Sequence, residues 1–210
     1  TAADGDQVQI NAALTAGSGK KVVLLAGTYT VDASVSVPNN TTLTGIGNGT
    51  LLTIPNSFNA NLNVITNTDA ATGTGVVIRD LVVDGNKANQ ASGDQIGVYL
   101  DDMGTLSTGV VGATIRDIVA KNLTRGGVNL FSSELTTISN ITVLSIDSYA
   151  IDISGNSSNA NKIVGNTVKD SNYGIFLGWG ENNVVTNNIL DSNDYGIYSS
   201  AYRSTISNNT

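Results

Sequence analysis

Along most of the chain, apolar and polar residues alternate in short bursts, and from Thr114 onward the bursts return at a steady interval. Ser148-Tyr149-Ala150-Ile151, Asn172-Tyr173-Gly174-Ile175 and Asp194-Tyr195-Gly196-Ile197 are one motif, with isoleucines 24 and then 22 residues apart. A second motif interleaves with it: Ile138-Ser139-Asn140, Ile163-Val164-Gly165-Asn166, Val185-Thr186-Asn187-Asn188 and Ile206-Ser207-Asn208-Asn209. Two β-type segments returning together every ~22 residues describe one winding of a solenoid, because periods of about 20–50 residues mark stacked supersecondary units.

The first segment has a different period. Asp6-Gln7-Val8-Gln9 offers a capping-box pattern, Ile10, Ala13 and Leu14 recur at helical spacing, and Gly17-Ser18-Gly19 stops the run. This predicts a helix over about residues 7–16, placed to cover the raw apolar end of the solenoid. Strand-like runs follow at Val22–Leu25, Thr28–Val31, Ser34–Val37, Thr41–Ile46 and Leu51–Ile54, each bounded by turn residues. Residues 55–75 read as a polar loop. Winding resumes at residues 76–83 and is restated at 114–119, with an insertion over 84–110 that holds a strand near Ile96–Leu100.

No helical pattern separates the strands, so βαβ units are excluded. Consecutive parallel strands joined by such short links coil right-handedly. The expected fold is all-β: a right-handed parallel β-helix with an N-terminal capping α-helix, one domain over 1–210 with coils over 20–210. The last residues, 204–210, stop within a repeat, which leaves strand edges open. That predicts a chain continuing past Thr210, or a homo-oligomeric or end-to-end assembly through this end.

Composition narrows the chemistry. Charged residues are 13% of the chain against an ordinary ~25%, while 40% is apolar. Cysteine and histidine are absent, which removes disulfides, thiolate or imidazole metal sites and Ser-His or Cys-His nucleophiles. A net charge of −7, with ten scattered Lys and Arg, argues against nucleic acid as a partner. No apolar run approaches the ~20 residues of a membrane span.

The opening, Asp4-Gly5-Asp6 through Ile10-Asn11-Ala12-Ala13-Leu14 and then Val22 to Tyr29, resembles the entry segment of pectate-lyase-type and tailspike domains. Thr41-Thr42-Leu43-Thr44-Gly45-Ile46-Gly47 extends the likeness. Leu81-Val82-Val83-Asp84-Gly85-Asn86 resembles a turn of mannuronan C5-epimerase modules, and the Tyr-Gly-Ile and Asn-Asn repeats are similar to NosD-type, carbohydrate-associated β-helices. The resemblance, to the pectate-lyase-like superfamily, covers most of the chain. It implies a polysaccharide partner and lyase, hydrolase or epimerase chemistry. The epimerase pattern, aromatic-Gly-aromatic-Asp-Pro-His, is matched at residues 126–131 only with Asn129 at the Asp position and without His, so that motif is not intact. Pectate lyases hold Ca²⁺ in an Asp cluster; spacing here shows no such cluster, so no cofactor or protein metal ligand is expected, with Ca²⁺ left open by the resemblance alone.

Side chains alternate across a strand. With Val98, Val128, Ile151, Ile175 and Ile197 inward, the residues after them should form an outward column of Tyr99, Asn129, Asp152, Phe176 and Tyr198, with Trp179 at its corner. Aromatic faces stack on sugar rings and Asn and Asp bond hydroxyls, so these are the candidate substrate-binding residues. Asp152 is the candidate catalytic carboxylate, with Glu134 as partner and Asp101 and Asp102 as alternatives, because glycoside hydrolysis needs two carboxylates about 5–9.5 Å apart. The series Asn140, Asn166, Asn188 and Asn209 reads as structural, through left-handed corners and stacked amides. Tyr149, Tyr173 and Tyr195 share the parity of the inward residues and read as a stacked corner ladder. The expectation is therefore an exported, cell-surface or virion-surface protein that binds or modifies polysaccharide. The alternative is a non-catalytic structural or adhesive β-helix.

Overall fold

The computed structural model describes residues 5–210; Asp4, in the entry motif, lies outside them. Twenty strands wind in successive coils, and every ladder between them is parallel. One sheet of eight strands runs from Lys21–Val23 to Thr205–Ser207. A second sheet of twelve has two arms, joined where β14 (Thr142–Ser154) and β16 (Thr167–Leu177) run continuously through both. The winding is the expected right-handed parallel β-helix.

Register is set by the isoleucines. Leu43, Ile78, Ile115, Ile138, Ile163 and Val185 stack coil on coil inside the eight-stranded sheet, all fully buried. Opposite them Ile65, Val98, Val128, Ile151 and Ile175 form an equally buried column that Ile197 continues. Each such side chain contributes about 1.5–3 kcal/mol by leaving water, and a one-residue slip would turn the whole set outward.

The helix α1 spans Gln7–Ala16, as the periodicity predicts, and buries Ile10 and Leu14 against the first coil. Its capping box does not form. Asp6 has helical φ/ψ, and its Oδ2 accepts the Thr30 N–H at 2.7 Å, so the carboxylate fastens the helix to a strand instead. Ala13 is exposed; buried Gln7 takes its place and bonds Asp32. The region read as a loop, 55–75, contains the strand Leu62–Asn67, whose Leu62, Val64 and Ile65 enter the core. Its flanking Asn and Thr residues masked that short apolar run.

The asparagines divide into two neighbouring positions. Asn140, Asn187 and Asn208 occupy left-handed corners with φ of 51°, 58° and 54°, where Gly165 stands in the coil between. Asn166 and Asn188, fully buried one residue later, form the amide ladder: Asn166 Oδ1 accepts the Ile141 N–H at 3.0 Å, and Asn188 Oδ1 accepts Asn166 Nδ2 at 2.9 Å. Asn209 extends the ladder to the last coil. Asp80 and Asp117 are corners too, with φ of 56° and 54°.

Candidate functional site

The expected outward column exists in register: Thr66, Tyr99, Asn129, Asp152, Phe176 and Tyr198 lie side by side on successive coils. Its middle is not solvent-facing as alternation alone implies. Asn129 and Asp152 retain 6% and 8% exposure, because larger neighbours on both sides close over them. Tyr99 flanks them on one side and Phe176 on the other, where the Tyr149 ring packs on Phe176 at 4.8 Å.

The tyrosine ladder forms, with Tyr173 and Tyr195 stacked at 4.7 Å and Tyr149 and Tyr173 at 5.1 Å. It stands outside the helix, contrary to its parity. Ala150 and Ile151 are both buried in succession, so alternation breaks there and Tyr149 swings outward. The equivalent Gly127 explains the small residue: a Cβ on it would meet the Ala150 carbonyl oxygen and Val143 at 2.5 Å. Phe176 and Tyr198 stack at 5.2 Å, which makes a patch of five rings beside Asp152. The signal for this patch was in the sequence: a Gly or Ala directly before each inward Ile marks a position too crowded for a side chain.

The polar centre is incompletely satisfied. Asn129 Nδ2 donates to Asp152 Oδ2 at 3.4 Å, yet Asn129 Oδ1 and Asp152 Oδ1 are buried with no partner. Such atoms cost about 1–3 kcal/mol each, and native proteins retain few of them without a use. Burial pushes the Asp152 carboxyl up to about 6, against the opposing pull of the Ser154 hydroxyl and the Arg125 guanidinium. Arg125 lies 5.2 Å over the Tyr149 ring, a cation–π contact at the edge of the same patch. Across the column the Tyr99 phenol is raised by burial and by Asp101, Asp152 and Asp102. Asp101 is itself raised by burial and by Asp102.

Two candidate residues lie apart from this centre. Glu134 sits in the turn after the strand Gly126–Phe131, where Oε1 accepts Asn159 Nδ2 and Oε2 accepts the Leu106 N–H, both at 2.6 Å. It is not among the charges acting on Asp152. Trp179 follows the end of β16, in the turn, and faces a cleft with Tyr202 and Leu106 rather than the Phe176 stack. Among the described residues no group of three or more carboxylates gathers as a metal site, and no helix is long and apolar enough to cross a membrane.

Outward rings and a buried carboxylate on a stack of parallel coils define the class: the chain belongs to the right-handed β-helix region family, whose model matches residues 59–210. Among solved structures it is similar to the A-module of mannuronan C-5 epimerase AlgE6 of Azotobacter vinelandii, at 18% identity and TM-score 0.59, over 99% of this chain and 72% of that one. The AlgE4 A-module of the same organism aligns at 15% identity and TM-score 0.53, over 95% and 69%. A candidate glycosyl hydrolase of Parabacteroides merdae aligns at 10% and 0.54, over 97% and 87%. At these identities the likeness is one of fold. No curated protein matches the sequence.

Proposed function

We propose that the protein is an exported or cell-surface polysaccharide-modifying enzyme, one domain over 1–210, which holds a glycan along the outward column and transfers protons through Asp152. The observation that carries this reading is the buried Asp152–Asn129 pair, one oxygen of each left without a partner, beside five aromatic rings. A scaffold gains nothing from leaving two acceptor oxygens orphaned, whereas substrate hydroxyls, which donate, would satisfy both. That weighs against the purely structural alternative.

Tyr99 and the outward edges of the stacked Phe176 and Tyr198 rings supply apolar contact for a sugar, and Asn129 bonds hydroxyls. Asp152, raised to about 6, is divided between its acid and base forms near neutral pH, where general acid–base catalysis is most effective. Asp101 is the second carboxyl of this face: it lies two coils from Asp152, about 10 Å along the axis at ~4.8 Å per coil. Glu134, the partner expected from sequence, spends both oxygens on the turns. The fold neighbours named as an epimerase and a hydrolase support polysaccharide as the substrate class.

Affinity for a panel of neutral and acidic polysaccharides tests the binding half of the proposal. Phe176→Ala and Tyr198→Ala should each weaken binding about tenfold, the equivalent of 1.4 kcal/mol. Unchanged affinity in both would remove the column from consideration.

A further inference from the structure

A second concavity lies in the turns that follow the outward column on successive coils. Its walls are Leu106, Asn156, Asn159, Trp179, Glu181 and Tyr202, and its volume is about 350 Å³. The turn over 102–112 is the longest of the series and rises as a tongue, closed by reciprocal bonds between Thr105 and Val110. The shorter turns beside it form the floor. Trp179 and Tyr202 are 57% and 64% exposed, and neither ring packs on another aromatic, unlike the five rings of the sheet.

The site is built in advance of any ligand. Glu134 joins the tongue to the floor through the Leu106 N–H and Asn159 Nδ2, and Asn159 Oδ1 accepts the Glu181 N–H at 2.8 Å. Tyr202 is fixed by its N–H to the Gly180 carbonyl at 2.9 Å and by its carbonyl to the Asn182 N–H at 3.2 Å. Pre-ordered walls reduce the entropy that binding must overcome. Chemically the cleft offers two free aromatic faces and the exposed amide of Asn156, which both donates and accepts, while the Asn159 amide holds the walls together. Its one acid, Glu181, pairs with Arg203 at 3.1 Å, so the rim carries no uncompensated cation.

We propose that this cleft binds one or two neutral pyranose units of a glycan, as a site separate from the Asp152 column. The apolar face of a sugar ring stacks on Trp179 or Tyr202 while Asn156 bonds its hydroxyls. The volume stands at the small end of ligand pockets, about 300–1,000 Å³, which suits a mono- or disaccharide. Polyuronates are disfavoured, because a chain of net charge −7 repels a polyanion and the Arg203–Glu181 pair leaves no free cation at the rim to hold a carboxylate. The inference stands without a reaction at Asp152, since no residue is shared.

Trp179 is the single tryptophan, so its emission reports this cleft alone. Titration of the whole chain with cello-, manno- and xylo-oligosaccharides should give a saturable emission change for at least one of them. Tyr202→Ala should weaken that binding by about tenfold or more, while Tyr202→Phe, which keeps the ring, and Asp152→Asn, which touches only the column, should bind as wild type does. Four results would each overturn the proposal: no saturation by any of the three up to about 10 mM, full affinity in Tyr202→Ala, tighter binding of an oligogalacturonate, or loss of the response in Asp152→Asn.

Discussion

Asp152 carries the cost of the site in its own titration. Its carboxyl is held at about 6 in the fold, against about 4 for a free aspartate, so the unfolded chain gives up this proton first. The native state is therefore favoured fully below about pH 3.8 and loses that advantage as pH rises to about 6, beyond which the difference is constant. The shift corresponds to about 3 kcal/mol. Denaturant unfolding from pH 4 to 8 should show wild type losing about that much relative to Asp152→Asn. Parallel pH profiles of the two would mean that the carboxyl is not desolvated as described. Gly127 makes a second prediction at this scale: Gly127→Ala should lower the unfolding midpoint by the equivalent of about 1–3 kcal/mol, because its Cβ meets backbone at 2.5 Å. An unchanged midpoint would show that the corner can widen.

Single elements are fastened by their corner amides. Removing the Asn166 side chain leaves the Ile141 N–H unpaired within a buried corner and takes one of two donors from the Ile138 carbonyl, which keeps its ladder bond. At about 1–3 kcal/mol for an orphaned group, Asn166→Ala should cost about 1–3 kcal/mol by urea denaturation. An unchanged midpoint in Asn166→Ala would argue against a buried amide ladder. The amides were legible in the sequence, but their division was not. Asn140 and Asn166 share a motif, and one residue of offset decides which is a left-handed corner and which a ladder rung. The missed strand at 62–67 has the same origin, since local polarity outweighed three apolar residues that only the neighbouring coils bury.

Across the whole molecule, repetition made the fold legible and the site less so. A fixed period with isoleucines in register dictates stacking, and the Ile151, Ile175 and Ile197 column confirms it. Stability in such a stack is the sum of coil and nearest-neighbour terms, so a loss depends on burial at its coil. Ile151→Ala, at a fully buried position in mid-stack, should destabilise by about 2–5 kcal/mol in thermal unfolding; an unchanged midpoint would contradict the stacked column. The outward column followed from strand parity, but its burial did not. That depends on ring packing by tyrosines whose own parity fails at a crowded corner. Glu134 and Trp179 were displaced because turn lengths, which strand periodicity does not constrain, decide where they point.

The central claim is that Asp152 moves protons on a glycan held by the outward column. ¹H NMR of mannuronan, pectin and neutral polysaccharides incubated with the protein at neutral pH detects cleavage, elimination and epimerisation alike. Wild type should convert at least one of them, and Asp152→Asn, folded and no less stable, should be slower by about 10²-fold or more. Equal rates in the two proteins, or no conversion by wild type, would contradict the account.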